Sequence, residues 1–335
     1  MIKVSVAGVT GFTGEELLRI LLRHPEVRVK HLISRKKGVK ISEVHPSVNF
    51  SGETENLSAG IIDDTDVVFL CLPHTESAKV AFRFIEKKVP VVDLSADFRF
   101  KNAALYRKAY GSAHPYPSLL SKAVYGLPEF YREKIKTSKI VANPGCYPTA
   151  TLLAVLPALI KRLADSSGII VDAKSGISGA GKKLANDYLF SNVYENTRAY
   201  SVARHRHQPE IQQEILMLSG MKPVLTFVPH LIPQKRGIIT TVYLRMKVPL
   251  SEETVISVYR KFYKKEKFVK VLNKGEQPGT AEVIGTNNVR LGIAVDSAAQ
   301  VLILTSVIDN LIKGASGQAV QNMNIMFGFN EATAL

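Results

Sequence analysis

The chain has 335 residues, 46% of them hydrophobic and 22% charged, which is the balance of a soluble globular protein and too long for one ordinary core. No uninterrupted apolar run approaches the roughly 18 residues that a membrane-spanning helix needs, and Met1 leads straight into strand-like sequence with no room for a signal peptide, so a cytoplasmic protein without membrane contact is expected. The net charge is +15, yet the basic residues are scattered, which argues against a nucleic-acid partner and suits anionic small-molecule ligands.

From the start of the chain, "IKVSVAG" alternates as a strand does, and the turn "GVTGFTG" follows. "EELLRILLRH" then places Leu17, Leu18, Leu21 and Leu22 on one helical face. "VRVKHLIS" (27–34) reads as the next strand. "DVVFLCLP" (66–73) is a continuous apolar run, the texture of a parallel strand covered on both faces. "ESAKVAFRFIEKK" reads as a helix, and "VPVVDLS" and "KIVANPG" as further strands. Strands alternating with helices predict a doubly wound parallel sheet.

At Asn143 the sequence becomes "NPGCYPTATLLAVLPALI". Pro144 and Gly145 punctuate a turn, and from Thr151 apolar residues recur as in a buried helix. Cys146 is therefore expected at or just before a helix N-terminus, where unpaired N–H groups and the macrodipole favour a thiolate. A small hydrophobe packed in a turn is the other reading of this stretch. Cys71, the second of two cysteines, lies in an apolar strand and is expected to be inert; two cysteines make no disulfide framework and suit a reducing compartment.

Beyond Cys146 the texture is that of a mixed α+β domain with a large sheet. "VLTFVPHL" (224–231), "GIITTVYLRMKV" (237–248) and "AQVLILTSVID" (299–309) read as strands. "RKFYKKEKFVK" (260–270) reads as a solvated helix face, and 310–328 as a final helix.

Three stretches carry chemistry. Gly8, Gly11 and Gly14 are spaced by three residues between a strand and a helix, where missing side chains let a pyrophosphate approach the helix N–H groups. A ligand-free tight turn is the alternative. In "ISRKKG" (33–38), where NAD-preferring sites place an acid, Ser34, Arg35, Lys36 and Lys37 suit a 2′-phosphate instead. The planar fork of Arg35 makes it the strongest candidate, and NADP the expected cofactor.

"SVARHRHQPEI" (201–211) puts His205 and His207 in the loop before a helix, with Pro209 in the helix's first turn. One histidine could be a general acid/base, the pair could be half a metal site that nothing nearby completes, or the stretch could be a solvated basic loop. "KSGISGAGKK" (174–183) could cradle a phosphate with backbone N–H groups or be a plain flexible loop. "DLSADFR" (93–99) ends a strand at the carboxyl edge of the sheet, where Arg99 is a candidate anion contact.

With "LPH" (72–74), "YGLPE" (125–129), "VPHLIPQKRGI" (228–238) and "DNLIKGASGQAVQNMN" (309–324), these stretches closely resemble the N-acetyl-gamma-glutamyl-phosphate reductases. Those NADPH-dependent enzymes of arginine biosynthesis belong with the aspartate-semialdehyde dehydrogenases, and the resemblance covers essentially the whole chain. It implies an α/β fold, with a Rossmann-type doubly wound parallel sheet over residues 1–145 and 311–335. It also implies a mixed α+β catalytic and dimerisation domain over 146–310, with the C-terminal helix packing back on the first domain.

By this resemblance Cys146 is the nucleophile that attacks N-acetylglutamyl 5-phosphate and expels phosphate, and NADPH reduces the resulting thioester to the semialdehyde. His207 is favoured as acid/base, with His205 orienting substrate or sharing the task. The implied NADP contacts are Gly8, Thr10, Gly11, Phe12, Thr13, Gly14, Ser34, Arg35, Lys36, Leu72, Pro73, Gly179 and Asn310. The implied substrate contacts are Arg99, Asn143, Ser175, Ser178 and Glu210. No metal is expected, and the chain should form a homodimer or homotetramer. A relative acting on a substrate linked to an acidic carrier protein, and a non-catalytic NADP-sensing regulator, are the competing readings.

Overall fold

A computed structural model describes residues 1–182 and 186–335. Two compact units emerge: Met1–Pro144 with Ala315–Leu335, and Gly145–Gly314.

The first unit is built on a six-stranded sheet of β1 (Ile2–Ala7), β2 (Val27–Ile33), β3 (Val67–Leu70), β4 (Val91–Asp93), β5 (Val124–Tyr125) and β6 (Ile140–Ala142). The strand order is β2-β1-β3-β4-β6-β5 and every pair is parallel. All four residues of β3 are buried, as expected for an apolar run covered on both faces. The strand ends at Leu70, so Cys71 lies one residue beyond it and not in mid-strand, where it donates its N–H to the Ala7 carbonyl. The helix Phe12–Leu21 buries Leu17, Leu18, Ile20 and Leu21, whereas Leu22 falls just past its end and is 38% exposed. After β1 the chain lays β2 on one side and then β3 on the other, and this reversal opens a crevice at the carboxyl ends of the strands.

The C-terminal helix Gly317–Phe327 packs on the first unit through an unusual face, because Gln318, Asn322 and Asn324 are buried along with Val320 and Met323. Asn322 and Asn324 reach partners outside the helix. Asn322 Nδ2 donates to the Gly126 carbonyl at 2.9 Å, and Asn324 Oδ1 lies 2.8 Å from His24 Nε2. Burial of polar side chains is tolerated where each hydrogen bond lost to water is replaced. The expected helix over 310–328 is not uniform, since Ile312–Ser316 forms a π-helical turn before the α-helix begins.

The second unit holds a seven-stranded sheet of β7 (Ile169–Ser175), β8 (Arg198–Ala199), β9 (Leu225–Leu231), β10 (Ile238–Arg245), β11 (Val269–Val271), β12 (Val289–Asp296) and β13 (Val301–Ile308). Its order is β11-β12-β13-β10-β7-β9-β8, with β7–β9 and β11–β12 parallel and the other pairs antiparallel. Along β10 every second residue from Ile238 to Leu244 is buried, while Tyr243 and Arg245 are exposed, so one face of the sheet meets the core.

On the covered face lies the helix Cys146–Ile160, buried from Tyr147 to Leu159. Pro157 inside it has no N–H to give the Leu153 carbonyl, and its ring crowds that turn. Two tyrosines compensate: Tyr263 Oη donates to Leu153 O and Tyr259 Oη to Ala154 O, both at 2.6 Å. Tyr259 comes from the helix Glu252–Phe262. That helix corrects the expectation for 260–270, since it stops at Phe262 and a turn leads into β11. The lysines there are exposed as expected, but Tyr263, Phe268 and Val269 interleave with them and are drawn into the core, which breaks the helix. Among the described residues no helix is long and apolar enough to cross a membrane.

Candidate active site

Cys146 is the first residue of the helix Cys146–Ile160. Gly145 caps it with extended backbone and no side-chain hydrogen bond, so the N–H groups of the first turn point past the cysteine. The start is braced within the second unit. Glu210, completely buried, accepts the Gly145 N–H at 2.9 Å, and Thr149 Oγ1 donates to the Gly145 carbonyl at 3.1 Å. Gly314 has to be glycine, because a Cβ there would lie 2.8 Å from Cys146 Cβ. Cys71 is chemically different: burial, with the Asp93 carboxylate adding to it, pushes its thiol up.

Cys146 opens on a cavity of about 430 Å³ that it shares with His205, His207, Tyr200, Arg204 and Arg206. Tyr147, Ser175, Gly179 and Leu231 are among its other walls. The two histidines face the cavity together. Arg206 is helical (φ −57°, ψ −20°), His207 begins the helix His207–Ser219, and the two imidazole centroids are 4.8 Å apart. The reason is tertiary: both rings pack edge-on against Tyr147, at 5.7 and 6.0 Å. His205 Nδ1 accepts the His207 N–H at 3.1 Å, which leaves the proton of a neutral ring on Nε2. Burial first, then the Arg206 cation, pushes His205 down to about 4. Burial likewise pushes the Tyr200 phenol up to about 12, and that of Tyr147 up, so both remain neutral donors.

Two cations at the cavity, Arg204 and Arg206, escaped the sequence reading although "RHRH" spelled them out beside the histidines. Their loop is strained: Ser201 (φ 46°) and Ala203 (φ 55°) both adopt left-handed backbone conformations that side chains disfavour. Of the loop expected to cradle a phosphate, Ser175 and Gly179 line the cavity, while Lys183 lies outside the described residues. Gly176 is forced by close approach, with a Cβ there 2.7 Å from the Arg236 nitrogen. Ser178 accepts from Asn310 Nδ2 at 3.0 Å, and Asn310 Oδ1 accepts the Gly237 N–H at 2.8 Å, so Asn310 knits this loop to the neighbouring one. No group of three or more His, Cys, Asp or Glu that could hold a metal ion exists among the described residues.

In the first unit the glycine turn has divided duties. Gly8 (φ +82°) is conformationally obligatory, and a Cβ there would lie 2.4 Å from the Cys71 carbonyl oxygen. At Gly14 a Cβ would lie 2.5 Å from Val9 O, so this glycine lets helix and turn touch. Gly11 differs: its φ is −81° and a Cβ would meet only Gly8 O, at 4.0 Å. The protein itself does not need glycine there, and the space it leaves lies over the uncapped start of Phe12–Leu21, with Thr10 just before and Thr13 within the first turn. That opening fits a pyrophosphate.

A second cavity, of about 170 Å³, gathers Ser34, Arg35, Leu72 and Pro73 with Ile33, Asn56 and Glu76. Asn56 Nδ2 holds the Ser34 and Arg35 carbonyls at 3.1 and 3.0 Å, which fixes the backbone that presents Arg35. Lys36 is exposed beside it. The residues fit an adenosine with a 2′-phosphate. Arg99 and Asn143 also belong to this unit, both buried. Arg99 donates to the Asn143 and Leu94 carbonyls at 2.9 and 3.1 Å, while Asn143 bonds Ala315 O and Asn322 Nδ2, each at 3.1 Å.

Residues 3–138 match the family described as semialdehyde dehydrogenase, NAD binding domain, and residues 146–310 that described as semialdehyde dehydrogenase, dimerisation domain. The N-acetyl-gamma-glutamyl-phosphate reductase of Moorella thermoacetica is 47% identical, over 100% of this chain and 98% of its own. That of Halothermothrix orenii is 45% identical, again over 100% and 98%. The chain belongs to the N-acetyl-gamma-glutamyl-phosphate reductase family. The same fold is seen in aspartate semialdehyde dehydrogenase II of Vibrio cholerae, solved in complex with ASA, with a TM-score of 0.75 at 18% identity over 98% of both chains. The aspartate semialdehyde dehydrogenase of Candida albicans, solved with NADP, has a TM-score of 0.75 at 16% identity, over 98% of this chain and 99% of its own.

Proposed function

We propose that the protein reduces N-acetyl-L-glutamyl 5-phosphate, with NADPH, to N-acetyl-L-glutamate 5-semialdehyde and phosphate, a step of arginine biosynthesis. The observation that carries this reading is the one cavity in which a helix-start cysteine, two histidines and two arginines meet. Family membership supports the substrate, and the open space at Gly11 together with the Arg35 cavity supports NADP.

Cys146 Sγ attacks the acyl carbonyl, the C–O bond to phosphate breaks, and a thioester remains on the cysteine. Arg204 and Arg206 receive the negative charges of the substrate. When bound, the cofactor supplies the hydride that takes this thioester to the aldehyde level. The thiohemiacetal oxygen exchanges its proton with His207, and cleavage of the C–S bond returns the Cys146 thiolate, which the helix start favours. His205, neutral, donates from Nε2. Glu210 keeps Gly145 and the helix start in place.

The matched dimerisation domain supports a homo-oligomer. Ile170 and Tyr243, 48% and 36% exposed on the outer face of the large sheet, are suited to the contact between subunits of a dimer, and a tetramer would need a second surface. A cytoplasmic setting agrees with a free-thiol mechanism. The deciding assay is phosphate-dependent NADP reduction with N-acetylglutamate semialdehyde and, separately, aspartate semialdehyde. Turnover of the acetylated aldehyde is expected; turnover of aspartate semialdehyde alone would overturn the substrate assignment, and binding of NADP without turnover would favour a sensor.

A further inference from the structure

One buried charged cluster touches the glycine turn from outside the chemistry above. His45 follows the short helix Ile41–Val44, and its side chain is wholly buried. Nε2 lies 2.9 Å from the Val9 carbonyl oxygen, and Nδ1 lies 3.1 Å from Glu15 Oε2. A carbonyl and a carboxylate only accept, so engaging both takes a proton on each ring nitrogen. The other oxygen of Glu15 accepts from Arg19 Nη2 at 3.1 Å, and Arg19 Nη1 donates to the Ser47 carbonyl at 3.2 Å.

Val9 is the residue after Gly8, and it is also the one against which Gly14 packs. Its carbonyl is therefore gripped by His45 while its backbone is pressed by Gly14. Glu15 stands in the first turn of Phe12–Leu21, the end that the open space at Gly11 leaves for a ligand. A lone carboxylate there would repel a pyrophosphate. With both ring nitrogens protonated, His45 and Arg19 set two cations against that one anion, which leaves the cluster net positive beneath the turn.

We propose that His45 positions the glycine turn for the dinucleotide, by pinning the Val9 carbonyl and by neutralising Glu15. The inference rests on the NADP reading above. A histidine that merely tied Ile41–Val44 to the core would not depend on the charge of Glu15, and the test turns on that difference.

NADPH is titrated directly by its fluorescence into the whole protein, for wild type, His45→Ala, and His45→Ala combined with Glu15→Gln. His45→Ala should weaken NADPH binding by about tenfold or more, the worth of a charge-assisted hydrogen bond. At saturating NADPH its kcat should stay within about twofold of wild type, because the lost interaction is uniform binding. Removing the Glu15 charge should then recover a large part of the lost affinity. Unchanged affinity in His45→Ala, a loss falling on kcat, or a double variant no better than the single one would each overturn the proposal. If His45→Ala does not fold, His45→Gln serves. It keeps a donor for Val9 without the charge, and its affinity should lie below wild type and rise when Glu15→Gln is added; wild-type affinity there overturns the charge argument. Failure of wild type itself to bind NADPH would instead overturn the cofactor reading, and this inference with it.

Discussion

His205 and His207 sit together at Cys146, and exchanging each for Asn separates their roles. His205 is pushed down to about 4, so protonating it at pH 7 costs about 4 kcal/mol, at about 1.4 kcal/mol for each pH unit. A proton route through His205 therefore begins with a handicap on the order of 10³. His207→Asn should lower kcat by about 10²–10⁴, the usual worth of a general acid/base. In His205→Asn the carboxamide oxygen can still accept the His207 N–H, as Nδ1 does now at 3.1 Å. Its kcat should stay within about tenfold of wild type, and the larger change should fall on the KM for the semialdehyde. The assay is steady-state NADP reduction with semialdehyde and phosphate from pH 6 to 9, with circular dichroism to verify folding. If His205→Asn takes the large kcat loss and His207→Asn only the KM change, the argument from burial is refuted and the roles are exchanged. If both keep near-wild-type turnover, the acid/base lies elsewhere, and His74 and His230 are next to test.

Cys146→Ala should abolish turnover while NADPH still binds, and Cys71→Ala should leave activity nearly intact; a folded Cys71→Ala as inactive as Cys146→Ala would refute the nucleophile assignment. Arg35→Ala should raise the KM for NADPH much more than that for NADH, by a charge-assisted pair worth about 1.5–3 kcal/mol, and equal effects would dismiss Arg35 as the reader of the 2′-phosphate. Asp93 is completely buried and pushed up to about 6, by burial first and then by Asp97, even though Ser77 and Ser95 donate to it. The folded protein therefore holds this proton more tightly than the unfolded chain does, and stability is lost as pH rises from about 4 to about 6, by at most about 3 kcal/mol. Asp93→Asn lacks that slope, so wild type should gain on the variant in urea denaturation on going from pH 7 to pH 4.5; the same difference at both pH values would refute the shift.

Local chemistry made part of this molecule readable from its residues alone. A strand, a glycine turn and a helix follow one another at the start of the chain because alternation, backbone freedom and a leucine face all act within a few residues. The placement of Cys146 at a helix start is local in the same way: Pro144 and Gly145 break the chain, and an apolar run propagates the helix. The proposal that Ser34 and Arg35 read a 2′-phosphate starts from an equally local feature, the absence of an acid in that stretch. The tertiary structure decided matters that depend on distant partners. The histidines share one side because Tyr147, about sixty residues earlier, gives both rings an edge to pack on. The helix over residues 260–270 ends early because Tyr263 and Phe268 are pulled inward. Arg204 and Arg206 look like ordinary surface cations until the strained loop turns them onto the cavity. The polar C-terminal helix is buried because Gly126, Asn143 and His24 supply its hydrogen bonds. Hydrogen bonds and ring contacts between residues far apart in sequence leave no periodicity behind them, so only the folded chain reveals which polar side chains are satisfied and which line the cavity.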